Sequence, residues 1–428
     1  MPDLPREDPL MSIEHVPPAP GWHRSGRTRG PAGFLSRHRA RRAQRDYETS
    51  VVAFAHALRG EFREACTGLH ICHYVQVAAG ITVRTPRVGE VRPGPPLRFT
   101  VELLPGQEPG DFTAKQNGPR LAHTLGGHGL RVEPLAGRWV RLVVLQHDPL
   151  RDGFGLPSLT VPTGAEAVIL GRTEDGITLG HAIADPAHLG VQGQNGSGKS
   201  AFCYGLLSQL AAAPDVLVTG SDITGLLLGR AWDDTIHRPH QVTGTHDLAA
   251  HAVLLEDLVA EMDRRLTAIP PRQDKIEPTA ETPTVLAVLE EFPGLLRAAD
   301  ALPKPKRGEG IPVGDRIRTA VVRLLSEGRK AAFRVLMLAQ RFEATAVGGG
   351  YARDQFALRL SFRVPADSLE MLHGTDARPL GQEHANADPG VAYLSGLGRD
   401  CERIRVPYLG DYAEYCDRIA THGRRAES

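Results

Sequence analysis

Eight residues, Gly193-Gln194-Asn195-Gly196-Ser197-Gly198-Lys199-Ser200, constrain this chain more than any other segment. They match the P-loop pattern G-x-x-x-x-G-K-[ST], whose glycines let the backbone curl until successive N–H groups face phosphate oxygens. Such a loop needs a strand before it and a helix after it. Residues 188–192 (HLGVQ) supply the first, and residues 201–212 read as the second. The positive end of that helix adds to the anion site. A chance glycine-rich turn would lack this context, so all eight residues are candidate nucleotide contacts. Lys199 is expected at the β- and γ-phosphates, and Ser200 at a Mg²⁺ ion bridging them. The expected cofactors are therefore ATP and Mg²⁺.

A nucleotide site of this kind needs a second half, an apolar strand ending in acids. Residues 284–291 (TVLAVLEE) have that form. Glu290 is the candidate for the metal shell and Glu291 for orienting the attacking water. The metal position is more often Asp, and Glu is a methylene longer, so binding is more firmly implied than hydrolysis. Residues 335–341 (VLMLAQR) form a third apolar run with a polar tip, where Gln340 is placed to sense the γ-phosphate by hydrogen bonding. An arginine-bearing helix over 315–329 precedes it. Arg329 is the candidate finger for a neighbouring subunit's nucleotide, with Arg323 as the alternative.

The rest of the chain places these segments in an α/β fold. Short apolar runs at 189–192, 216–219, 285–289, 335–338 and 358–364 alternate with helical periods. Leu248, Ala252, Leu255, Val259, Met262 and Leu266 step by four and three, which puts one apolar stripe on a long helix packed against a sheet. Alternation of this kind predicts a mostly parallel sheet. A Gly/Pro-rich linker near 153–164 and a hairpin turning at Asp175-Gly176 come before it. Residues 47–152 predict a small α+β domain, with strands at 97–104 and 139–145 and a helix within 111–125 broken near Gly118-Pro119. Residues 1–46 read as a basic, flexible arm, carrying eight arginines from Arg24 to Arg45. It is either a contact for DNA phosphates or acidic membrane, or a solvated tail.

Composition narrows the setting. A formal net charge of zero means that any surface for a polyanion must be local. Five cysteines in 428 residues argue against a disulfide framework and for a reducing compartment. The cluster Cys66, His70, Cys72 and His73 fits no common zinc spacing. No apolar stretch is long enough to cross a bilayer and no secretory signal is present, which predicts a cytoplasmic protein.

Taken together, residues 188–200, 290–296 (EEFPGLL), 338–341 (LAQR), 358–364 (LRLSFRV) and 389–394 (PGVAYL) resemble the motor domain of the FtsK/SpoIIIE family of DNA translocases, in family order. The resemblance runs from about residue 168 to 409, and the ATPase motor is assigned to 165–420. Residues 102–132 are similar to the small domain that precedes the motor in that family. The resemblance implies a RecA-like motor assembling as a homo-hexamer around duplex DNA and hydrolysing ATP between subunits. The family's usual Asp is Glu290 here, and the Pro that commonly follows Gln-Arg is Phe342. Membrane helices and a C-terminal winged helix, present in members that segregate chromosomes, are not found. The plan looks more like the transfer proteins of actinobacterial conjugative plasmids and integrated elements, which implies a membrane-anchoring or accessory partner and a peripheral location. Two loops are candidates for DNA phosphates: Lys304, Lys306 and Arg307 in one, Tyr351 and Arg353 in the other. Two alternatives remain at this stage. One is a type VII secretion-like ATPase acting on protein, and the other is a weakly hydrolysing nucleotide-binding scaffold.

Overall fold

The computed structural model describes residues 31–425, apart from 79, 95, 115–116, 158–159, 175 and 307–309. The chain divides into two compact units, Met1–Asp148 and Pro149–Ser428. The first contains helix α1 (Pro31–Gly68), the hairpin β1 (His73–Val77) and β2 (Gly80–Arg84), β3 (Arg87–Arg92), β4 (Leu97–Glu102), α2 (Asn117–Thr124), β5 (Gly129–Pro134) and β6 (Trp139–Leu145). Strands β3-β4-β6-β5 form an antiparallel sheet. Ala55, Leu58, Phe62 and Cys66 recur at helical spacing and bury one face of α1 in the core that Phe99 and Phe112 share. The arm reading needs correction here, because residues 31–46 are the first turns of α1. Pro31 suits a first helical position and the Ala/Arg run that follows is strongly helix-forming. Arg24, Arg27 and Arg29 lie outside the described residues. Similarly, Gly118-Pro119 do not break α2 but open it, where a missing N–H costs nothing.

The second unit begins with the hairpin β7 (Ala167–Thr173) and β8 (Thr178–Ala182), followed by β9 (Leu189–Gln192), α3 (Lys199–Leu210) and β10 (Val216–Asp222). Then come β11 (Gln241–Thr243), α4 (Leu248–Thr267), β12 (Thr284–Glu290), α5 (Phe292–Asp300), α6 (Val313–Glu327) and β13 (Phe333–Ala339). The chain closes with α7 (Gly350–Asp354), β14 (Leu358–Ser361), α8 (Ala366–His373), α9 (Gly381–His384), β15 (Val391–Gly396), β16 (Arg399–Arg405) and α10 (Tyr412–His422). One sheet carries all ten strands in the order β11-β10-β12-β13-β9-β14-β15-β16-β7-β8. The pairs from β11 to β14 are parallel, and those from β14 to β8 antiparallel. Strand 358–364 is shorter than its sequence suggests, because Pro365 starts α8.

The central strands are buried on both sides. In β12 and β13, Leu286, Val288, Leu336 and Leu338 pack with α3 and α10, while Val285, Ala287, Leu289, Val335 and Met337 pack with α4, α5 and α6. The two-residue alternation thus feeds two helical layers, which is why these strands read as continuous apolar runs. His188, fully buried, fastens the layers. Its Nδ1 accepts the Val335 N–H at 3.0 Å, and its Nε2 donates to the Leu325 carbonyl at 3.0 Å.

Burial, followed by the charges of Arg334 and Arg329, lowers the His188 pKa to about 3 from its ordinary 6.5. The stability this neutral ring contributes is complete above 6.5 and drains away as pH falls toward 3, because the unfolded chain binds the extra proton. Denaturant titrations are therefore expected to show stability falling below pH 6.5. His188→Gln should flatten that slope by about 1.4 kcal/mol per pH unit, one proton's share. An unchanged slope would mean that His188 is protonated in the folded state.

Candidate nucleotide-binding site

The loop 193–198 leaves the carboxyl end of β9, between β13 and β14, where chain connections diverge and α/β sheets open a crevice. Crowding explains its glycines. A Cβ on Gly193 would sit 2.7 Å from that of Phe362, and one on Gly198 2.7 Å from the Gly390 nitrogen. Gly196 and Gly198 also take positive φ, at 72° and 109°. Neighbouring backbone fixes the curl: Gln194 N–H donates to Arg363 O at 3.0 Å, and Gly390 N–H to Ser197 O at 2.9 Å. Gln192 locks the strand end. Its amide donates to Ser361 Oγ and Ser368 O, and its Oε1 accepts the Phe342 N–H at 3.0 Å. That last bond gives Phe342 a reason to differ from the family's Pro, which has no N–H to donate.

The first amides of α3 have no intrahelical acceptor and open toward the loop. Lys199 is 9 % exposed and donates from Nζ to Glu291 Oε2 at 3.3 Å. Ser200 is exposed in the first turn of α3. Two halves read separately in sequence, 193–200 and 290–291, are thereby brought into contact. Glu291 caps α5 with φ 41° and ψ 48°, a left-handed conformation uncommon outside glycine.

Glu290 ends β12 in register with Asp222 of β10. Its pKa is pushed up to about 8, first by burial and then by the negative charges of Asp222 and Glu291, with Lys199 pulling the other way. Its Oε2 is buried without a hydrogen-bond partner among the described residues. An orphaned carboxylate oxygen is the kind of hard donor that a Mg²⁺ shell takes. Asp222, by contrast, is committed to the protein. Its two oxygens accept from Thr224 N and Oγ1, Gly225 N, Leu227 N and Leu228 N at 2.8–2.9 Å, folding the 223–229 loop back beneath the site. The strand reading stopped at residue 219 and missed Asp222, although an acid followed by Thr224-Gly225 is itself a turn signal.

Gln340 lies exposed just past β13, beside the start of the loop, since Ala339 pairs with Gln192. Arg341 holds its neighbour in place through Asp367 and Ser368 of α8. Arg329 is elsewhere. It lies in the short turn before β13, at the amino edge of the sheet, so its own loop is out of reach. Arg316, Arg318 and Arg323 are ion-paired with Glu256, with Asp300 and Asp315, and with Asp263 and Glu327 respectively. That leaves Arg329 exposed, with no side-chain partner among the described residues. Lys304 and Lys306 are exposed between α5 and α6, and Arg307 lies outside the described residues. Tyr351, 62 % exposed, and Arg353, 3.8 Å from Asp354, belong to α7. No cluster of metal-binding His, Cys, Asp or Glu exists among the described residues, and Cys66 and Cys72 are free thiols.

No family model matches the chain. Across 357 residues it is 27% identical to the transfer protein TraSA of Streptomyces ambofaciens, covering 79% of this chain and 83% of that protein. The monomer form of the pCW3 conjugation coupling protein TcpA with ATPγS superposes with a TM-score of 0.52, at 18% identity, over 85% of this chain and 98% of that one. The chain is thus similar in sequence to a transfer protein and shares the fold of a conjugation coupling protein. The cytoplasmic domain of the type VII secretion ATPase EccC of Thermomonospora curvata gives a TM-score of 0.48 at 20% identity, over 66% of this chain and 33% of that one. The α/β fold with a mostly parallel sheet, expected from the alternation of strands and helices, is the one observed.

Lys199→Ala is expected to abolish nucleotide binding or turnover. Glu291→Gln should bind ATP at near wild-type affinity and lose at least about a hundredfold in turnover, the scale of a general base. Filter binding and phosphate release check both, and wild-type turnover by either variant would displace the site.

Proposed function

We infer that the chain is an ATPase that translocates double-stranded DNA during transfer of a plasmid or mobile element, working as a homo-hexamer. The observation that carries this reading is the Lys199–Glu291 contact, which joins the phosphate loop to the acid-tipped strand. Similarity to TraSA, named a transfer protein, and to TcpA, named a conjugation coupling protein, supports the setting.

With no phosphate present, Lys199 and Glu291 neutralise each other. Phosphate oxygens entering the loop compete for Lys199, because several charge-assisted bonds outweigh one at 3.3 Å. Glu291 is then free to hold the attacking water and take its proton, with Gln340 placed to hydrogen-bond the same water. Mg²⁺, when bound, neutralises charge on the β- and γ-phosphates, and Ser200 and Glu290 are the residues that would hold it.

Arg329 faces away from its own loop, which suits a group offered to the neighbouring subunit's nucleotide in a ring. Lys304, Lys306, Arg307, Tyr351 and Arg353 supply phosphate contacts and a stacking ring, with little sequence information, as a motor that runs over any sequence requires. No helix among the described residues is long and apolar enough to cross a membrane. An anchoring partner would place the ring at the membrane.

Turnover measured with and without duplex DNA is the test. DNA should raise it several-fold, the gain should fade with added salt as phosphate contacts are screened, and Arg329→Ala should lose about 10³-fold while still binding ATP. Stimulation by a secreted peptide in place of DNA would favour protein as cargo. Tight ATP binding with no turnover would leave a scaffold.

A further inference from the structure

We propose that Arg405, backed by Arg172, is a nucleotide-binding residue that grips the nucleoside side of the ATP held by the loop 193–200. The proposal rests on reading that loop as an ATP site. Arg405 of β16 stands directly opposite Arg172 of β7 in the antiparallel register. Like charges face to face across a strand pair repel, so the arrangement calls for an acceptor-rich group. The protein does not supply one. Nη1 of Arg405 and Nε of Arg172 are both buried without a hydrogen-bond partner among the described residues.

The two arginines divide the work. Arg172 is anchored, its Nη2 donating to Asp152 O at 3.0 Å and its guanidinium lying 4.6 Å from the centre of the Phe154 ring. Arg405 lies close to two glycines. A Cβ added to Gly153 would come 3.7 Å from its Nη2, and one added to Gly390 3.9 Å from its Nε. Gly390 is also the residue whose N–H donates to Ser197 O, and whose nitrogen leaves no space for a side chain on Gly198. Arg405 therefore stands one residue behind the phosphate loop.

Sheet order says which end of the nucleotide it meets. Glu290 ends β12 and Glu291 follows it, two strands to one side of β9, and β16 lies three strands to the other. β15 runs antiparallel to β14, so Gly390 at its start and Arg405 at the end of β16 share the carboxyl edge with the loop. With the γ-phosphate turned toward the acids, the nucleoside extends toward β14–β16. Ribose oxygens and purine ring nitrogens are acceptors, which is what two buried guanidinium N–H groups lack.

Titration calorimetry of the full chain with ATP and with inorganic tripolyphosphate separates the two ends, since the second ligand has the phosphates and no nucleoside. Arg405→Met keeps the apolar stem and removes the fork. It should weaken ATP roughly ten- to a hundredfold, the scale of a charge-assisted hydrogen bond, and leave tripolyphosphate unchanged. Arg405→Lys, which keeps charge without the fork, should fall between. Retained tripolyphosphate binding is the folding control, and where the Met variant lacks it the Lys variant decides. The proposal is overturned if the variant that decides weakens both ligands equally or neither, or if it loses duplex DNA binding with ATP affinity intact. A wild-type chain that binds neither ligand overturns the reading of the loop itself, and this proposal with it.

Discussion

A nearly buried ammonium needs a counter-charge, and the one within reach of Lys199 comes from a residue 92 positions away. Desolvating two charges costs several kcal/mol, which the pair repays only while both members stay in place. Any anion that takes Lys199 must therefore displace Glu291, which follows the end of β12.

Holding such a pair to hydrogen-bond distance requires a stiff frame, and the sheet supplies it. β9 lies between β13 and β14, and Gln192 stitches the strand end to Ser361, Ser368 and the backbone of Phe342. Arg341 extends the stitching to α8. These hydrogen bonds tie the start of the loop to the segment carrying Gln340 and to α8. On the other flank, Asp222 accepts from five donors and places a negative charge beside Glu290. Burial plus that charge raises Glu290 to about 8, so a cation on the adjacent oxygens favours its ionised form.

Much of this was legible beforehand, for physical reasons. Strands buried on both faces must be apolar throughout, so β9, β12 and β13 stood out as short runs. The α4 stripe at four-and-three spacing marked a helix with one packed face. Local composition misled where a residue's effect depends on its exact place. Proline and glycine in 31–46 and at Gly118-Pro119 looked like breakers, yet they sit at or near helix starts, where they are tolerated. The acid Asp222 hid because its apolar strand continues through Gly220 and Ser221, residues that do not look like strand.

The sequence by itself determined the phosphate loop, the acid-tipped strand and the alternation that makes a mostly parallel sheet, because each is written in a few consecutive residues whose chemistry is local. Only the tertiary structure decided which acid meets Lys199, that Arg329 turns away from its own loop while Arg316, Arg318 and Arg323 are consumed in ion pairs, and that Arg405 faces Arg172. Those are matters of strand order and register, which bring distant residues together and which no short window of sequence contains.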